Sequence, residues 1–235
     1  MTGSNAHAAR PKVFGVGVHK TGTTSLKKAL ELLGYDTAGP SPEVLEPILE
    51  QRWDVVDAEV AAFDAFQDDP WFLAYEYLEQ RHPDAHFILT IREPDPWLRS
   101  VQRHFGSRVN PTRRAMYGDI SALDDPEHYK RCYERHNRAV IEYFESRGRD
   151  LLVIDMTRDG WDDLCAHLGQ EPPRSVLGRP IPIPHANAAS TLEFRNRHPR
   201  LERVRLFFKD GFVRVFGPRG QRFLTAVKYR VKIRR

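Results

Sequence analysis

Lys20 lies in the run Gly17-Val18-His19-Lys20-Thr21-Gly22-Thr23-Thr24-Ser25, where two glycines bracket a short loop and hydroxyl side chains follow. A loop of this kind, opening a helix, turns successive backbone N–H groups toward one anionic group, and a lysine adds a point charge. The chemistry on offer is the handling of a phosphate or a sulfate. A second constellation pairs Arg92 with Ser100, eight positions on. A guanidinium clamps a phosphate with two hydrogen bonds, and a nearby hydroxyl adds a third. Each set has a plainer alternative. Lys20 also suits a solvated loop and Gly22 a helix-entry turn, while Arg92 also suits an ion pair with Glu93 or Asp95.

Positioning these residues requires particular elements. Val13, Phe14, Val16 and Val18 read as a buried strand before the loop, and Leu26, Ala29, Leu30 and Leu33 recur at helical spacing after it. Gly34 is a plausible stop for that helix. Phe87, Ile88, Leu89 and Ile91 form another buried strand ending at Arg92, and Pro94 and Pro96 suit a turn and a helix start. An arginine at the carboxyl end of a parallel strand is where open α/β sheets bind ligands. Residues 53–57 read as a second strand, 71–81 as a helix, 110–126 as a loop, 127–147 as a long helix and 151–155 as a fourth strand. Asp159 is expected to cap a helix from Trp161 to Leu168. The alternation predicts a three-layer α/β/α fold around a parallel sheet.

A nucleotide-hydrolysing P-loop carries its lysine directly after the second glycine. Here Thr23 holds that place and Lys20 sits inside the loop, which disfavours a Walker-type kinase or ATPase. Lys20-Thr21-Gly22-Thr23-Thr24 followed by Arg92…Ser100 instead resembles the sulfotransferases that use 3′-phosphoadenosine 5′-phosphosulfate (PAPS). FILTIREPDPWLRS and DMTRDGWDDLCAHLG are similar to the compact branch of that family, over roughly residues 12–187. The resemblance implies a P-loop-NTPase-like fold and PAPS as sulfuryl donor. His19, Lys20, Thr21, Gly22, Thr23, Thr24 and Ser25 would then lie at the 5′-phosphosulfate, with Arg92 and Ser100 at the 3′-phosphate. Lys20 would neutralise the leaving oxygen. No metal is expected, since no H-E-x-x-H or clustered carboxylate pair appears.

A general base for the acceptor hydroxyl has several candidates. Asp64, Asp68 and Asp69 lie about where the resemblance places a general-base histidine, counting back from Arg92, and Asp69 is put first; Asp57, Glu59 and His104 are comparable. Asp68 or Asp69 equally suits a cap for a helix starting near Pro70. His19 also suits the acceptor side, and His185 and Asn187 suit a pocket lining.

Composition suits one α/β domain: 235 residues, net charge +4, and only two cysteines, Cys132 and Cys165. They read as buried free thiols in a reducing, cytoplasmic setting. Residues 1–11 read as a disordered tail, 12–196 as the catalytic domain and 197–235 as a basic extension. That extension holds 13 Lys/Arg against two acids, so the rest of the chain is acidic. It suits a lid over the nucleotide, a contact for anionic lipid or polysaccharide, or a closing element with a solvated face. No nucleic-acid-binding motif accompanies the charge. The expected acceptor is a hydroxyl of a small molecule, sugar or lipid. Competing classes are a P-loop nucleotide or small-molecule kinase and a non-catalytic nucleotide-binding or membrane-surface scaffold.

Overall fold

A computed structural model describes residues 10–175 and 177–185. Asn187 and the basic extension fall outside the described residues. Five strands form one sheet in the order β2-β3-β1-β4-β5, every pair parallel: β1 Val13–Gly15, β2 Thr37–Ala38, β3 Ala65–Phe66, β4 His86–Thr90 and β5 Leu152–Ile154. The helices are α1 Thr23–Leu32, α2 Leu45–Leu49, α3 Trp53–Ala62, α4 Tyr75–Arg81, α5 Pro94–Phe105, α6 Pro111–Tyr117, α7 Pro126–Ser146 and α8 Trp161–Leu168. The chain leaves β1 toward one edge of the sheet and leaves β4 toward the other. The crevice between their carboxyl ends is therefore a topological switch point, where open α/β sheets take ligands.

Strand alternation builds two cores. Phe14, Phe66, Phe87 and Leu89 face α3, α4 and α7, where Val56, Val60, Leu78, Val140 and Phe144 meet them. Val13, Ala65, Ile88 and Ile154 face α1 and α8, against Leu26, Leu30, Leu164 and Cys165. Covering both faces is what permits an all-parallel sheet of nearly continuous apolar strands. Cys132 and Cys165 are both free and buried. Among the described residues no helix is long and apolar enough to cross a membrane.

Several local expectations are corrected. Residues 53–57 are the start of α3, not a strand: Val56 and Val60 point inward one helical turn apart while Val55 is exposed. The sheet positions are taken instead by β2 and β3, two residues each. Residues 71–81 divide into a 3₁₀ turn, Trp71–Leu73, and α4. Residues 110–126 contain α6, with Asn110 accepting from the Arg113 N–H at 2.8 Å and Pro111 in the first turn. Asp159 does not cap α8; its carboxylate accepts from the Asp155 N–H at 2.7 Å, and Gly160 precedes the helix.

Two contacts set the sheet's geometry beneath the crevice. Gly17 passes so close to β4 that an added Cβ would lie 2.7 Å from Thr90 N and nearer still to its Oγ1 and O. His136 on α7 reaches the other way, with Nε2 2.9 Å from Val16 O. Burial holds His136 down at a pKa of about 4, so the neutral ring donates to that carbonyl. Replacing Gly17 with Ala is expected to cost about 1–3 kcal/mol through overpacking. Gly160→Ala, with nothing within 4 Å, should cost under about 1 kcal/mol; urea denaturation of both variants checks this. Because His136 has a folded pKa below its unfolded value, its contribution is complete above about pH 6.5 and is lost as pH falls toward 4. The loss should be on the order of 2–3 kcal/mol, and His136→Gln should flatten that part of a pH–stability profile.

Candidate active site

Between β1 and α1 the loop brings Lys20 over the crevice. Its backbone is left-handed, with φ 68°, a conformation that costs a non-glycine residue about 1–2 kcal/mol. Thr21 is fully buried, and its Oγ1 donates to Val18 O at 2.6 Å and lies 2.6 Å from Thr90 Oγ1. Gly22, with φ 110°, precedes α1 and lets Met156 close over the loop; an added Cβ would sit 2.7 Å from Met156 Cβ. Thr23 and Ser25 are buried, whereas Lys20 and Thr24 are part-exposed. The positive end of α1 thus begins three residues after Lys20, with the Ser25 N–H donating to Gly22 O at 2.8 Å. His19, expected at the cofactor or the acceptor, is turned inward. Its Nδ1 is 3.1 Å from Asp69 Oδ1 and its Nε2 3.1 Å from the Tyr117 hydroxyl.

Arg92 is fixed by its backbone. Tyr133 on α7 accepts from the Arg92 N–H at 2.9 Å and donates to the Arg92 carbonyl at 2.7 Å. One phenol thus holds both polar groups of the peptide beyond β4, and the guanidinium is left for other work. Ser100 is two turns into α5, and His104 one turn further. Burial, then the neighbouring Lys20, push the His104 pKa down. Burial is also the main reason that the Lys20 pKa is lowered; Asp68 opposes the shift and Arg92 adds to it. Among the described residues, neither Lys20 nor Arg92 has a carboxylate within 4 Å. Two mutually repelling cations in one crevice fit a polyanionic ligand. Among those residues no group of three or more His, Cys, Asp or Glu could hold a metal. On the α7 side of Arg92, Tyr133, Asn137, Val153, Asp155 and Arg158 line a cavity of about 490 Å³.

The acidic candidates separate clearly. Asp68 faces the loop: its Oδ2 accepts from Thr23 Oγ1 at 2.8 Å. Burial, then Asp69, raise its pKa. Asp69 turns to His19, so neither carboxylate caps α4 or the 3₁₀ turn before it. Asp64 stands before β3, at the amino end of the sheet, with Oδ2 accepting from the Asp36 N–H at 2.9 Å. Asp57 and Glu59 lie on α3, where Asp57 binds Tyr77 Oη at 2.9 Å and Arg81 Nε at 3.0 Å. His185 is exposed, with Nδ1 3.1 Å from Met156 O. Tyr133, Tyr117 and Thr90 support the site but carry no chemistry-bearing spacing in the sequence. The Asp68-Asp69-Pro70 run was a usable signal, though not for telling which carboxylate faces the loop.

No curated protein matches the chain. A family model described as sulfotransferase domain matches residues 12–125 and 103–192, which takes in the Lys20 loop, Arg92, Ser100 and every strand. The chain belongs to the sulfotransferase domain family.

Proposed function

We propose that the protein transfers a sulfuryl group from PAPS to a hydroxyl of a small-molecule, carbohydrate or lipid acceptor. The observation that carries this reading is the convergence of Lys20 and Arg92, without carboxylate partners among the described residues, at the switch point between β1 and β4. The place a Walker lysine would fill is taken by Thr23, buried and bonded to Asp68, which argues against a magnesium–ATP enzyme. When bound, PAPS supplies a sulfuryl group whose departure leaves charge on a phosphate oxygen. Lys20 meets that charge, and the positive end of α1 adds to the field there. Arg92 and Ser100 grip the distant 3′-phosphate, which fixes the donor against the loop. Asp68 is our choice of base, ahead of Asp69 and His104. Its raised pKa moves it toward the working range of a proton acceptor, and it adjoins the loop that handles the sulfuryl group. The buried free thiols fit a reducing compartment such as the cytoplasm.

Calorimetric titration with 3′-phosphoadenosine 5′-phosphate (PAP) tests the donor assignment. Binding without metal, weakened about 100-fold by Arg92→Ala, is the expected result. Preference for magnesium–ATP would overturn it. Asp68→Asn should lower kcat for an acceptor found by screening by roughly 10²–10⁴-fold, with PAP binding unchanged or tighter because a negative charge is lost. A variant that retains full turnover would remove Asp68 from the mechanism.

A further inference from the structure

His19, directly before Lys20, is a buried ionisable side chain. It is 2% exposed, and Phe72, Trp97, Phe105 and Tyr117 surround its ring with centroids 5.1–6.5 Å away. Its carbonyl accepts from Trp97 Nε1 at 3.0 Å. Its two nitrogens reach partners 50 and 98 residues away, Asp69 after β3 and Tyr117 at the end of α6. Burial and Asp69 keep the Tyr117 phenol protonated by raising its pKa well above the usual value. Among the described residues His19 is the only hydrogen-bond partner of that phenol, so the hydroxyl donates to Nε2. Nδ1–H is then left to donate to Asp69, which sets both the tautomer and the ring plane.

We propose that Asp69, His19 and Tyr117 form a clamp that positions Lys20 for the 5′-phosphate end of the nucleotide. His19 is then a positioning residue, not a ligand, and the proposal rests on Lys20 contacting the nucleotide as argued above. The residues on either side of Lys20 are both immobilised: His19 by this clamp and by Trp97, Thr21 by Val18 and Thr90. With both flanking peptides held, the left-handed backbone at Lys20 is over-determined, and the direction in which its side chain leaves the loop is set without help from the ligand. Any buried imidazole needs partners for both nitrogens, so the feature that sets this one apart is its place in the chain, directly before Lys20.

The test is a double-mutant cycle on the full chain, read by calorimetric affinity for PAP. Tyr117→Phe should weaken PAP about 10-fold in the wild-type background and have no further effect when combined with Lys20→Ala. Asp69→Asn should behave the same way and serves if Tyr117→Phe does not fold. Nitrogen-15 shifts of the His19 ring should show Nδ1 protonated and Nε2 accepting, a pattern lost in Tyr117→Phe. Equal losses with and without Lys20, or no loss at all, would overturn the clamp and leave His19 a core residue. Failure of the wild type to bind PAP would instead sink the donor reading, and the purpose of the clamp with it.

Discussion

Gly17 brings the exit of β1 against Thr90 on β4 with no room for a side chain, and the geometry of the crevice follows from that contact. Thr21 then reaches the Thr90 hydroxyl, which pulls the far side of the loop onto the same strand. Two residues beyond Thr90 stands Arg92, so the distance between Lys20 and Arg92 is set by backbone packing instead of by flexible side chains. Tyr133 completes the arrangement from α7 by tying up both polar groups of the Arg92 peptide.

The electrostatics of the crevice work against the stability of the empty protein. Lys20 is desolvated beside a second cation, and Asp68 is desolvated beside a second carboxylate. Each group would be more stable in its charged form in water. Such opposed environments mark sites where protonation and anion binding matter, and here they occur within one loop and the strand end beside it. The left-handed conformations of Lys20 and Asp68 sit in the same place. Strain and unfavourable charge are thus concentrated in the loop and the strand end beside it, and the apolar cores supply the surplus that tolerates them.

Much of the architecture was legible before any coordinates. The apolar run before Gly17, the helical spacing after Gly22 and the strand before Arg92 each carry a strong periodic signal, because buried elements must present apolar residues at their own repeat. Strands β2 and β3 were not legible, since two residues hold no period. The run at 53–57 misled for the same reason: five residues containing Val55 and Val56 fit a strand or a helix, and packing of Val56 and Val60 against the sheet decided it.

By itself the sequence determined the fold class, the glycine-bracketed loop that carries Lys20 and the arginine after β4, because glycine spacing and charge type are local properties of the chain. Tertiary structure alone decided which way the side chains around that loop face. Asp68 and Asp69 are neighbours with the same chemistry, yet one bonds Thr23 and the other His19, because the backbone twists between them at φ 71°. Tyr117 and Tyr133 lie far along the chain and have no spacing that announces them. They matter because α6 and α7 pack beside the switch point, which brings the Tyr117 phenol to His19, 98 residues earlier, and the Tyr133 phenol to Arg92, 41 residues earlier.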